Sequence, residues 1–434
     1  LREKFPVMST TIPDTKYPAL SDLAEGLIGS EVIKIAGEIN TRKAAGEKIF
    51  NLTIGDFDPE IFPLPEKLST AIVKAYNDGH TNYPQANGMA VLRNTLSKYI
   101  EQRLGNHYSA DDILVSAGAR PLIYATFRAV VNPQEKVLYP IPSWNNNHYS
   151  YLANGSGVAI ATRPEDYFMP SADLFRPHIQ DAALIALCSP LNPTGTCFEK
   201  EDLEAICDLI LEENARRVDK KPVYLLYDQI YNELTLDGIT HHHPAALRPE
   251  MKRFTIYIDG ISKAYAATGV RVGWATGPTF LMNKMKAILS HVGAWSPKPE
   301  QMACAQYLAD MDEVNSTINL HRSMLKDRLQ GLYRGLEEMK QAGLPVDVIA
   351  PEGALYLTVK VDVMGKTTVE GKTLNNAEDI AYWLIEKAGV GFVPFYAFGA
   401  EKDYPWFRLS VGTTRMEDLP EILNRFKTAL KSVN

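Results

Sequence analysis

The 434-residue sequence predicts an α/β fold, with a mostly parallel seven-stranded sheet sandwiched by helices in a large domain and a smaller α+β domain beside it. The first observation is a set of short apolar runs in the middle of the chain: DILVSAG, EKVLYP, GVAIAT, ALIALCSP, PVYLLYDQ, RFTIYIDG and RVGWATG. Most lack two-residue alternation, as expected of strands buried on both faces. The second is that amphipathic segments lie between them, and strand alternating with helix argues for a covered parallel sheet. The third is that the two ends of the chain read differently, with long helices and a strand–turn–strand.

Taken in order, EVIKIAGEINTRKAAGEK is an amphipathic helix that runs into IFNLTIGDFDP. LIYATFRAVV follows the first strand as a helix, and KEDLEAICDLILEENARR follows the SPLNPTG loop. After about Asp310 a long helical stretch, NSTINLHRSMLKDRLQGLYRGLEEMKQAG, leads into VDVIAPEGALYLTVKV, a strand–turn–strand. NAEDIAYWLIEKAG then reads as a helix, WFRLSVG as a strand and MEDLPEILNRFKTALKS as a helix. The expected division is a large domain over residues 60–311 and a small domain made from residues 1–59 and 312–434.

Composition narrows the function classes. Apolar residues make 45% and charged residues 22%, an ordinary globular balance. The net charge of −7 disfavours nucleic acid and a polybasic membrane surface. No apolar run approaches the roughly 18 residues of a membrane helix. The stretch LREKFPVMSTTIPDTKYPAL lacks a continuous apolar core, so no signal peptide is expected. Cys188, Cys197, Cys207 and Cys304 show no CxxC spacing and read as reduced thiols of a cytoplasmic protein. His241–His243 sits in a Pro-flanked polar stretch and reads as a solvated loop rather than a metal site, so no metal is expected.

In open α/β sheets, ligands bind at the carboxyl ends of the strands. SAGARP, with Gly118 and Ala119, is a small-residue turn at a helix N-terminus, where free N–H groups suit phosphate. Trp144 in PSWNNN serves either packing or stacking on a planar ligand. SPLNPTG fixes a turned backbone around Asn192. Asp228 closes a very apolar strand; such a carboxylate either caps the next turn or pairs with a protonated ring nitrogen. Lys263 and Arg271 stand among small and apolar residues in DGISKAYAATGVRVG. A crowded lysine is a nucleophilic amine for Schiff bases, and an arginine suits two-point phosphate contact. A phosphate ester whose aldehyde the lysine holds answers both.

These residues carry a resemblance. GISKAYAATGVRVG resembles the pyridoxal-phosphate attachment signature of class I aminotransferases at every specified position, and the other strand-end motifs follow in that family's order. The chain looks like the aspartate/aromatic branch of the fold-type I enzymes over nearly its whole length. The resemblance implies pyridoxal 5'-phosphate as cofactor, bound as a Schiff base to Lys263, which is also the general base. It implies that Asp228 holds the ring nitrogen protonated, that Asn192 and Tyr231 hydrogen-bond the ring oxygen, and that Trp144 stacks on the ring. Gly118, Ala119, Arg271 and Ser262 would hold the phosphate. Gly55 in IGDFDP would lie beside the substrate carboxylate, and Arg408 in WFRLSVG would grip it. Tyr83 in TNYPQANG would cross a homodimer interface to the partner's phosphate.

The activity so implied is ping-pong transfer of an amino group between an L-amino acid and a 2-oxo acid, with an aspartate or aromatic donor. A β-lyase or other Cα chemistry on the same fold is the alternative, and a non-catalytic effector sensor is a remote one. The sequence departs from the family pattern at Gly260, where many members carry serine. It also departs at Ala117 and Ala119, where hydroxyl residues or a lysine are frequent. Arg120, and Lys298 in GAWSPKPEQ, are the candidates to read a distal substrate carboxylate instead.

Overall fold

The computed structural model describes residues 20–433, so the segment read for a signal sequence lies almost wholly outside the described residues. The strands in chain order are β1 (Phe50–Asn51), β2 (Ile113–Ser116), β3 (Lys136–Ile141), β4 (Ser156–Ala161), β5 (Ala182–Cys188), β6 (Tyr224–Asp228), β7 (Thr255–Gly260) and β8 (Gly273–Thr276). β9 (Val346–Ile349), β10 (Tyr356–Val361), β11 (Val390–Gly391), β12 (Val393–Pro394) and β13 (Trp406–Ser410) complete them. Strands β2 to β8 form one seven-stranded sheet in the order β2-β8-β7-β6-β5-β3-β4. β8 runs antiparallel to both neighbours, and the remaining pairs are parallel.

The missing alternation has the expected cause. Along β5, Leu184 and Ala186 pack into one apolar cluster with the helices Ala119–Val130 and Thr279–Val292. Ile185 and Leu187 pack into another with the helices Ala90–Leu104 and Lys200–Arg216. Both faces are thus covered, and every strand position must be apolar. β4 is the exception: it is an edge strand and alternates between exposed and more buried residues.

β12, β13, β10 and β9 form a four-stranded antiparallel sheet, and β1 pairs with β11 to tie the N-terminal segment to the C-terminal part. The 31-residue helix Met311–Gln341 starts at Asp310, whose carboxylate accepts from the Glu313 N–H. Its apolar side shares a core with β10, β13 and the helix Leu419–Leu430. Among the described residues no helix is long and apolar enough to cross a membrane.

The histidine run corrects its sequence reading. His243 is 4% exposed and stacks on Tyr257 with ring centroids 3.8 Å apart. Both ring nitrogens of His241 are buried without a partner, and burial pushes its pKa down to about 3. Pro244 opens the short helix Pro244–Leu247, and the Ala245 N–H donates to the Tyr257 hydroxyl. Neutral imidazoles pack flat against an aromatic wall here, so the stretch is interior rather than solvated. Among the described residues, no three His, Cys, Asp or Glu side chains gather as a metal site.

Candidate active site

The strand ends Ser116, Ile141, Cys188, Asp228 and Gly260 lead into the segments that line a cavity of about 680 Å³. It holds Gly55, Ala119, Trp144, Asn192, Asp228, Tyr231, Ser262, Lys263, Arg271 and Arg408 together. Gly118 adjoins it as the cap of the helix Ala119–Val130. Its φ of 86° is left-handed, and a Cβ there would lie 2.3 Å from Arg271 Nη2. Only glycine lets the guanidinium cross this turn. Arg271 itself donates to the Thr268 and Ala117 carbonyls, each at 2.7 Å.

Lys263 stands on the short helix Ile261–Ala264 directly after β7. Its Nζ donates to the Gly55 carbonyl at 2.6 Å. Burial lowers its pKa to about 8; Asp56 pulls it back up, Arg408 and Arg120 push it further down, and Asp228 raises it. Asp228 ends β6 and caps the following turn by accepting the Ile230 N–H at 3.2 Å. Burial raises its carboxyl to about 6, against that hydrogen bond and the attraction of Lys263. A buried carboxylate with so little compensation is a place for a protonated partner.

Arg408 comes from the other sheet. β13 pairs with β10 so that Arg408 lies opposite Thr358, two residues from Tyr356 and therefore on the same face. The guanidinium lies 4.6 Å from the Tyr356 ring centroid and 4.9 Å from that of Phe398. Nη1 donates to Asn192 Oδ1 at 2.9 Å and Nη2 to the Thr53 carbonyl at 2.6 Å. Nε is buried with no partner. A buried, unpaired donor on a charged group marks a site that lacks its acceptor.

Tyr356 and Asp56 escaped the sequence reading. The Tyr356 hydroxyl meets that of Tyr231 at 2.7 Å, and a Cβ on Gly55 would fall 2.6 Å from it. Asp56 accepts from Thr268 Oγ1 at 2.7 Å and lines the same cavity. Arg120 also faces in, with its guanidinium 5.3 Å from the Trp144 ring centroid. Two candidates lie elsewhere. Tyr83 is 82% exposed and packs edge-on against Trp295. Lys298 donates to Asn82 Oδ1 at 2.6 Å; neither lines the cavity of its own chain.

Comparison with known proteins gives the chemistry a frame. The sequence profile of aminotransferase class I and II matches residues 47–426. The chain is 31% identical to a probable aspartate/prephenate aminotransferase of Rickettsia felis, over 90% of this chain and 91% of that one. It is 29% identical to an aspartate aminotransferase of Rhizobium meliloti, over 92% and 93% of the two chains. Its fold matches the crystal structure of an aspartate aminotransferase from Rhizobium meliloti with a TM-score of 0.86 at 27% identity, covering 96% and 99% of the chains. It also matches the Thermus thermophilus aspartate aminotransferase with maleate, with a TM-score of 0.84 at 25% identity, covering 95% and 100%. With a lysine and a carboxylate gathered at the strand ends beside a buried arginine, and this likeness along nearly its whole length, the chain belongs to the class I and II aminotransferases and is a transaminase.

Proposed function

We propose that this transaminase uses pyridoxal 5'-phosphate held on Lys263, and that its preferred donor is a dicarboxylic amino acid of the aspartate type. One observation carries the reading. Lys263, Arg120, Arg271 and Arg408 line the cavity against two carboxylates, Asp56 and Asp228. A phosphate monoester near −2 and a substrate carboxylate offset that positive excess.

The residues fit the cofactor. The glycine turn at Gly118 leaves room for Arg271 beside a helix start, and Ser262 lines the same end of the cavity. Asp228 offers a carboxylate for a protonated ring nitrogen. Asn192 and the Tyr231–Tyr356 hydroxyl pair offer donors for a ring oxygen, and Trp144 a flat wall. When bound, pyridoxal phosphate supplies an electron sink for the pair left by the Cα–H bond. Lys263, with its amine lowered toward neutrality, takes the Cα proton and returns one on the other side of the transfer. Arg408 grips the α-carboxylate through its open Nε side and sets the angle of the Cα–H bond, so that orientation supplies part of the rate. Arg120 stands where it can read a second carboxylate.

The same proposal includes a homodimer, supported by the exposed Tyr83 that serves no site of its own chain. It keeps the division into parts 60–311 and 1–59 with 312–434, of which residues 1–19 lie outside the described residues. The four free thiols support a reducing, cytoplasmic setting.

The test is a half-reaction. Purified protein loaded with pyridoxal phosphate is mixed with L-aspartate, L-phenylalanine or L-alanine without an acceptor, and the visible absorption and the products are followed. Stoichiometric oxaloacetate from aspartate, at a kcat/KM at least ~10-fold above the others, is expected. Release of pyruvate, ammonia and sulfide from L-cysteine, a donor with a β-leaving group, in place of simple amino-group transfer would instead show elimination.

A further inference from the structure

Lys263 and Tyr231 stand on different segments. Tyr231 belongs to the turn after β6, residues 229–234, and Lys263 to the stretch after β7, residues 259–265. The Gln229 N–H to the Ile258 carbonyl is the last backbone bond between the two. Beyond it, side chains join them on two sides, and Gln229 Nε2 itself reaches Asp259 Oδ2 at 3.5 Å. Asn232 Nδ2 donates to Asp259 Oδ2 at 2.9 Å, while Asp259 Oδ1 accepts the Gly260 N–H at 2.7 Å. On the other side Glu233 forms a two-point ion pair with Arg103. It also accepts from the Tyr99 hydroxyl at 3.1 Å, which meets the Tyr265 hydroxyl at 3.1 Å. The helix Met311–Gln341 braces both: Asn315 accepts from Arg103, and His321 Nδ1 lies 2.9 Å from the Ala264 carbonyl.

Tyr99, Glu233, Asp259 and Tyr265 are all buried. Buried charge is a poor route to stability, since apolar residues of like volume stabilise as well or better. It does fix geometry, and reacting groups must be held to within about 0.5 Å. We infer that Tyr99, Glu233 and Asp259 are positioning residues that lock the Lys263 segment to the Tyr231 turn, so that amine and phenol keep one relative placement. This rests on the proposed role of Lys263.

Tyr99→Phe tests it, because it removes the one hydroxyl shared by both sides. The charges that face Lys263, from Asp56, Arg408, Arg120 and Asp228, stay as they are. Two readouts are taken. In the cofactor-free chain, the pH dependence of Lys263 labelling by an amine reagent is followed by peptide mass. In the loaded enzyme, kcat and KM for aspartate are measured. The expected result is a Lys263 titration moved up by about one unit toward the ordinary lysine value as the segment loosens. A kcat lowered about tenfold at nearly constant KM should accompany it. Tyr265→Phe, which cuts the same link from the other end, should reproduce both, and carries the test if Tyr99→Phe does not fold. A lowered Tm with the Lys263 titration and kcat of the wild type would reduce the network to a structural one and overturn the inference. A wild-type chain that takes up no cofactor would sink the proposed site instead, while the labelling titration still reports on the lock.

Discussion

Two large concavities formed by the described residues differ in how their charges are satisfied. The larger, about 1010 Å³, opens between residues 163–167, the helix Met311–Gln341 and the antiparallel sheet. Its cations are neutralised locally: Lys340 by Asp347 at 2.6 Å, Lys360 by Asp362 at 3.0 Å, Arg163 by Asp166 at 3.0 Å. The smaller, about 680 Å³, holds Lys263, Arg120, Arg271 and Arg408. Among the described residues none of these forms a salt bridge with a carboxylate; three of them lean on backbone carbonyls. Exposed ion pairs in the groove contribute little and call for no ligand. Cations turned into one cavity without counter-charge repel one another, and the fully buried Arg408 is costly to keep unpaired; such a set persists where an anionic ligand completes it. Unbalanced charge, not volume, distinguishes the site.

The sharpest way to break this contrast is to remove the central cation. Lys263→Ala should lower transamination by at least about 10⁴-fold, the scale of a lost general base and covalent anchor, while cofactor still binds without a covalent link. Its pH behaviour sharpens the point in the wild type. The neutral amine is the reactive form, and burial lowers the pKa to about 8. The rate of cofactor uptake by the free chain should therefore rise with pH through a midpoint near 8; a midpoint at the ordinary lysine value would show an unburied amine. Next in size, Arg120→Leu should cost roughly 2 kcal/mol, ~30-fold in kcat/KM, for aspartate and leave phenylalanine within ~2-fold. An equal loss for both donors would remove Arg120 from substrate reading. The smallest effect is expected in the groove: Lys340→Ala should change kcat/KM by less than ~2-fold and stability by under about 1 kcal/mol.

The strand-end part of the cavity, where the cofactor is proposed to sit, was legible because its residues stand inside contiguous motifs. Asp228 closes an apolar run, and Lys263 and Arg271 share one short stretch. Tyr356 was not legible, since YLTVKV announces only a strand; its place beside Arg408 depends on the β10–β13 register, which pairs residues about 50 positions apart, Thr358 with Arg408 among them. Asp56 needed the Thr268 contact to be seen as part of the site. In the histidine run local polarity does not signal exposure, because Tyr257 supplies His243 with a flat buried partner. The helix Ala90–Leu104 lay outside the elements read from sequence. Its Arg93 is buried and donates to the Gly88 and Ala110 carbonyls, which breaks the apolar stripe by which such helices are recognised.

Borohydride reduction of the cofactor-loaded protein, followed by proteolysis and mass mapping, tests the central claim most directly. A single reduced pyridoxyl group on the peptide bearing Lys263 is the predicted result. A reduced group on another lysine, or a protein that takes up no pyridoxal phosphate at all, would contradict the account.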